Sequence, residues 1–222
     1  LRVAIIRFPG TNCDYDCAFA CRSCNVEYGF VWHKETTLDG YDCAILPGGF
    51  SYGDYLRSGA LASFSPIMQA VREFAKRGGY VVGICNGFQM LTELGLLPGV
   101  LLKNRNLRFI HKRVWLKFES SVCRFSENMA GRLVRLSIAH AQGCYYCTQN
   151  ELKRLEDDGC VVLRYASPQG EVTDEHNPNG SVSNIAGICN REGNIFGLMP
   201  HPERSVGDLG NDGTWLFSVL AS

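Results

Sequence analysis

Tyr80-Val81-Val82-Gly83-Ile84-Cys85-Asn86-Gly87-Phe88-Gln89-Met90-Leu91 is the stretch that decides the fold. Its first half is a short apolar run with β-branched residues, the pattern of a buried strand. Gln89–Leu94 reads as the first turns of a helix. Between them lies Gly-x-Cys-x-Gly, the cysteine counterpart of the Gly-x-Ser-x-Gly nucleophile elbow. A strand that turns at once into a helix strains its corner residue, and the flanking residues must lack a Cβ to let the chain pass. The corner side chain then projects at the top of the sheet beside a helix N-terminus, a place that favours thiolate over thiol. The Asn86 N–H would be free to donate to an oxyanion. A buried cysteine with glycines for packing is the plain alternative, and this stretch alone leaves both open.

The rest of the composition narrows the field. A chain of 222 residues suits one domain with a sizeable core. Lysine plus arginine equals aspartate plus glutamate, 22 against 22, so no basic excess argues for nucleic acid. No apolar run reaches the ~18 residues of a membrane span. Leu1–Arg7 is too short and too charged for a signal peptide and reads as a strand, so a cytoplasmic protein is expected. Eleven cysteines, scattered through predicted core elements, fit reduced thiols better than a disulfide framework. Asn179-Gly180-Ser181 is accordingly read as a turn.

Along the chain, strands and helices alternate. Val3–Phe8 is a predicted strand, and Pro9-Gly10-Thr11-Asn12 is a turn ending in a helix cap. The next helix carries Cys13, Cys17, Cys21 and Cys24 on one face. With no second ligand pair following, the reading is core packing and no metal site. Val26–Trp32 and Asp42–Leu46 are strands, and a helix from about Ser58 to Arg77 leads back to the Cys85 strand. Gly48 to Gly53 has the spacing of a phosphate loop, but Asp54-Tyr55 stands where Lys-Ser/Thr is required, so that reading fails. A glycine pair ending a strand instead offers backbone N–H groups to the crevice that Cys85 faces.

Beyond Leu97-Pro98-Gly99 the texture changes. Arg113–Glu119, Leu133–Ala139 and Cys160–Ala166 read as strands with less helix between them, an antiparallel addition to the sheet. Glu151–Asp157 is a short polar helix, and Gln169–Ser183 reads as a surface loop. Ile185–Cys189 and Asn194–Met199 form a hairpin, and Trp215–Leu220 closes the chain as a helix. The fold class is thus α/β: three layers, a mostly parallel central sheet flanked by helices, with an antiparallel extension.

The second hairpin strand delivers Pro200-His201-Pro202-Glu203-Arg204. Two prolines would hold this segment extended, with His201 and Glu203 on the same side. A histidine oriented by a carboxylate can act as a general base for a nucleophile. Of the other histidines, His33, His111 and His176 have no partner pattern, while His140 ends a strand and could face the same crevice.

Gly83-Ile84-Cys85-Asn86-Gly87-Phe88-Gln89, Pro200-His201-Pro202-Glu203 and Pro47-Gly48-Gly49 together resemble the class I (triad) glutamine amidotransferases. Within that class, Pro9–Asp14, Pro47–Arg57 and Gly197–Arg204 resemble the small glutaminase subunits of phosphoribosylformylglycinamidine synthase. The resemblance spans essentially the whole chain and implies a flavodoxin-like core.

It further implies a Cys85–His201–Glu203 triad that hydrolyses L-glutamine through a γ-glutamyl thioester. Ammonia would pass to a large ATP- and Mg-using synthetase subunit, usually with a small bridging subunit, and this chain itself would need no cofactor. Asn86 and the Gly49-Phe50 turn would hold the oxyanion, and Gln89 and His140 would contact the substrate. The run Phe50–Arg57, with Tyr52, Asp54 and Arg57, is the candidate partner surface. Where the family commonly shows His-Gly-Glu-Gly, this chain has His140-Ala141-Gln142-Gly143. A free-standing γ-glutamyl or peptide hydrolase, a non-catalytic scaffold, and an amidotransferase subunit of another pathway are the rival readings.

Overall fold

Val3, Ala4, Ile5 and Ile6 are fully buried at the centre of β1 (Arg2–Arg7) in a computed structural model of the chain, which describes residues 1–221. The helix α1 (Asp14–Ser23) crosses to β2 (Glu27–Trp32), and β3 (Cys43–Leu46) follows. Both strands pair parallel with β1, one on each side. After α2 (Pro66–Lys76), β4 (Tyr80–Ile84) adds parallel to β3, and α3 (Asn86–Glu93) begins with only Cys85 between. Strand order reverses at β1, so right-handed crossovers put α1 on one face of the sheet and α2 and α3 on the other.

The second half contributes β5 (Val100–Leu102), β6 (Ile110–Phe118), β7 (Leu133–His140) and β8 (Cys144–Tyr146). Then come α4 (Gln149–Asp157), β9 (Val161–Ala166), the hairpin strands β10 (Ile185–Cys189) and β11 (Ile195–Leu198), and α5 (Thr214–Leu220). Nine strands make one sheet in the order β2-β1-β3-β4-β11-β10-β9-β6-β7, while β5 and β8 pair separately. The first five in that order run parallel, and the last four extend the sheet antiparallel. This is the flavodoxin-type order with β11 in the fifth place. Buried apolar residues from both halves form one continuous cluster.

Four expectations change. The predicted helix from Ser58 starts only at Pro66, because proline holds Ser65 extended (φ −66°, ψ 144°) and serves as the first helical residue. The preceding turns lie directly on α3: at Gly59 (φ +80°) a Cβ would come within 2.9 Å of Met90 N. The cap of α1 is Cys13 rather than Asn12, and it forms no side-chain cap bond. Of the thiol stripe, Cys17 and Cys21 are core, but Cys13 sits apart at the head of the helix. Gln169–Ser183 is a surface loop over Gln169–Glu175, but its second half turns inward, where Asn179 is 0 % exposed and its amide is spent on Gly143 O and Tyr165 OH. The pair β5–β8 was not read from the sequence, because three-residue strands leave no periodicity to detect.

Candidate active site

Cys85 occupies the corner between β4 and α3 with φ +51° and ψ −103°, a strained backbone for any residue with a Cβ. Its neighbours explain why the turn closes. A Cβ on Gly83 would come within 2.6 Å of the Gly87 carbonyl, and one on Gly87 within 2.0 Å of Leu46 O. The corner is tied to the next strand by Cys85 N–H donating to Leu198 O at 2.8 Å.

That next strand, β11, carries the base. His201 lies three residues beyond it, its N–H donated to Ser137 O at 2.9 Å. His201 Nδ1 donates to Glu203 Oε1 at 2.6 Å, and the two side chains are 2 % and 0 % exposed. The carboxylate thereby fixes the tautomer and leaves Nε2 as the other ring nitrogen, buried and without a partner. The segment is not extended as expected. Pro202–Arg204 forms a 3-10 turn headed by the proline, and the turn curls Glu203 back onto the imidazole. Burial works against charging His201, but the Glu203 carboxylate and the Cys85 thiol on either side raise its pKa well above the ordinary value.

Cys85 and His201 line one cavity of ≈160 Å³ with Cys13, Gly49, Phe50 and Ala139. Although β7 is the far edge of the sheet, its end returns here: Ala139 O lies 3.8 Å from Cys85 Sγ. Gly48 leaves space for the base, since a Cβ there would stand 2.7 Å from His201 Cε1.

The expected oxyanion donors divide. Asn86 N–H is at the start of α3, where no intrahelical acceptor exists. Phe50 N–H is already donated to Gly10 O at 3.0 Å, leaving Gly49 N–H as the donor of that turn without an acceptor among the described residues. Gln89 is a strut with both amide ends engaged. Its Oε1 accepts from Asn86 Nδ2 at 2.8 Å, and its Nε2 donates to Gln142 O at 2.6 Å. Asn86 Oδ1 in turn accepts Ser51 N–H at 3.1 Å, so one chain of bonds joins the glycine turn, the elbow and the 140s loop.

His140 is buried next to Ala139, which lines the cavity, but is not itself among the lining residues. Asn104 donates its amide to Arg108 O and His140 O, so its Oδ1 accepts from His140 Nδ1 and Gly143 N, both at 3.0 Å. Burial, and then the neighbouring His201, push the His140 pKa down to about 4, which keeps the ring neutral with Nε2 as a free lone pair. Asn104, Asn179 and Ser181 are the positions sequence reading missed. Small polar side chains in Asn177-Pro178-Asn179-Gly180-Ser181, in place of the charges of a solvated loop, were the available signal.

The candidate partner loop is built differently from its expectation. Tyr52 points inward, its hydroxyl shared by His33 Nδ1 at 2.8 Å and Ser65 Oγ at 2.9 Å, which also gives His33 a partner. Arg57 forks onto Glu93 at 2.6 and 2.5 Å. Asp54 is half-buried, and burial raises its pKa. Tyr55 and Leu56 face outward, 71 % and 78 % exposed, and Phe50 and Arg57 are exposed beside them. His111 is exposed, and His176 Nδ1 lies 2.9 Å from Thr173 Oγ1.

Comparison with known proteins agrees with this geometry. The model of the CobB/CobQ-like glutamine amidotransferase domain matches residues 1–214. A phosphoribosylformylglycinamidine synthase subunit PurQ from Aquifex aeolicus is 50 % identical over 226 residues, covering 100 % of both chains. The subunit of that name from Thermus thermophilus is 54 % identical over 223 residues, covering 99 % of this chain and 97 % of the other. In the solved structure of PurLQS from Thermotoga maritima, one chain superposes with TM-score 0.86 at 43 % identity, over 99 % of this chain and 96 % of that one. A nucleophile elbow on β4, a histidine–carboxylate pair after β11 and full-length identity near one half converge: the chain belongs to the glutamine amidotransferase family and, within it, to the PurQ group.

Proposed function

We propose that this chain is the glutaminase subunit of phosphoribosylformylglycinamidine synthase, working as one cytoplasmic domain that holds no cofactor of its own. The observation that supports it is Cys85 on its strained corner beside the buried His201–Glu203 pair, in a chain half identical to PurQ proteins. His201 Nε2 takes the Cys85 proton, and the thiolate attacks the side-chain amide carbon of glutamine. The oxyanion is held by Asn86 N–H and Gly49 N–H, each such donor worth ~10²–10³ in rate. The imidazolium, stabilised by Glu203, returns the proton to the leaving nitrogen, and ammonia departs. Water, deprotonated by His201, then attacks the γ-glutamyl thioester and releases glutamate and the Cys85 thiol.

The ammonia is consumed by an ATP- and Mg-dependent synthetase subunit, with a small third subunit between the two. Tyr55 and Leu56, on the loop that also carries the Gly49 donor, are the docking residues. Docking there sets the oxyanion turn, raising turnover tenfold or more, roughly 1.4 kcal/mol of transition-state stabilisation. The test is glutamine hydrolysis by the chain alone and with its synthetase. Cys85→Ala abolishes glutamine-dependent amidination while ammonia-dependent amidination survives. Unchanged glutamine use in Cys85→Ala refutes the chemistry, and full activity in the lone chain refutes the coupling.

A further inference from the structure

Cys13 is a second buried thiol at the base, and the mechanism does not use it. It is 2 % exposed, and its Sγ, a ring nitrogen of His201 and a carboxylate oxygen of Glu203 all lie within 4.8 Å of one another. Glu203 Oε2 is buried without a hydrogen-bond partner. A thiol, an imidazole and a carboxylate in one buried cluster make the mixed soft and borderline donor set that zinc prefers. We propose that Cys13, His201 and Glu203 form a binding site for a soft divalent cation of the zinc type, whose occupancy withdraws the base and stops turnover. The binding rests on the cluster alone, and only the inhibition rests on the proposed function.

A tetrahedral zinc with bonds of about 2.0–2.3 Å sets its donors about 3.5 Å apart, and here it would take the place of the proton that His201 Nδ1 donates to Glu203 Oε1, with that proton moving to Nε2. Uptake releases the Cys13 proton, since zinc binds the thiolate. Two negative ligands balance the cation. Arg204 Nη2 donates to Cys13 Sγ at 3.1 Å, and its Nε donates to Asp16 Oδ2 at 3.1 Å. With Asp16 offsetting its charge, that guanidinium remains a hydrogen-bond donor to a metal-bound thiolate and supports the ligand from outside. The turn Pro9–Cys13 is itself pinned to the glycine turn through Cys13 N–H to Gly48 O at 3.2 Å, so the thiol does not depend on a mobile tail.

The test is binding, read without activity, on the full chain and its Cys13→Ser, Cys85→Ser and Glu203→Gln variants. Cobalt titration of the wild type and of Cys85→Ser gives about one ion per chain, with the intense sulfur-to-cobalt charge-transfer absorption. In Cys13→Ser that absorption disappears, and zinc affinity by competition falls at least about 100-fold, beyond what outer-shell substitutions cost. Glu203→Gln keeps the absorption but binds more weakly. Circular dichroism confirms each fold, with Cys13→Ala replacing a misfolded serine variant. Absorption retained in Cys13→Ser or lost in Cys85→Ser would overturn the assignment, as would a wild type that takes up neither ion at micromolar concentration. A wild type that binds the ion but, freed of metal and assayed with its synthetase, hydrolyses no glutamine would refute the proposed function and leave the site standing.

Discussion

Gly87→Ala is the most demanding probe of the elbow. The added Cβ would meet Leu46 O at 2.0 Å and Leu46 C and Cβ at 2.8 Å, and ordinary contact begins at 3.4 Å. Two of these three atoms belong to the backbone of β3, buried in the middle of the sheet, so no side-chain rotation relieves them. The start of α3 therefore has to retreat by about 1.4 Å, carrying Cys85 and the Asn86 N–H with it, and a ~1 Å misplacement costs ~10² in rate. Overpacking adds about 1–3 kcal/mol of destabilisation, and a chain of this size loses ~2–4 °C in Tm per kcal/mol. The assay is glutamine-dependent and ammonia-dependent amidination by the complex, beside a thermal melt. The first should fall about 100-fold or more while the second holds. Wild-type kcat with glutamine in a Gly87→Ala protein of wild-type Tm would show that the corner is not built by this contact.

Three further outcomes are expected. Brief alkylation at neutral pH, read by peptide mapping, should modify Cys85 and spare Cys17, Cys21 and Cys43, whose thiols burial pushes up, Cys21 to about 12; labelling of Cys43 at the rate of Cys85 would contradict the burial argument. Gln89→Leu strands the Asn86 amide and the Gln142 carbonyl, each unpaired buried group costing ~1–3 kcal/mol, so a melt identical to wild type would dismiss the strut. His140 is held neutral in the folded chain, whereas an unfolded histidine takes up its proton near the usual value of 6.5, so its contribution is complete above that pH and is lost as pH falls toward about 4. In His140→Gln, denaturant unfolding at pH 7 and pH 4.5 should differ by on the order of 2–3 kcal/mol less than in wild type; an equal difference would sink the assignment.

The elements legible beforehand were those whose residues announce their own geometry. Gly83, Cys85 and Gly87 declare a turn that only glycines allow, and the β-branched run before them declares a buried strand. Ile185–Cys189 and Ile195–Leu198 declare a hairpin by their length and by the polar turn between them. What stayed hidden depended on partners far along the chain. Nothing local says that Asn179 turns inward to Gly143, or that Tyr52 spends its hydroxyl on His33 and Ser65. Cys13 was grouped with Cys17 and Cys21 by helical spacing, but it is the cap residue, and the turn before it aims the thiol at His201. The histidine–carboxylate pairing was legible although its backbone was not, because a 3-10 turn and an extended segment can both bring positions 201 and 203 together.

The pairing of β11 with β4 has a consequence for how the protein is made. The nucleophile leaves the ribosome with the first half of the chain, and its base follows only after β6, β7, β9 and β10 have been synthesised. Between β4 and β11 there is no contact until the last hairpin inserts, so a nascent or prematurely terminated chain carries Cys85 with no imidazole beside it. Such a fragment is a thiol without a base, and partial products of translation release no ammonia from the cell's glutamine.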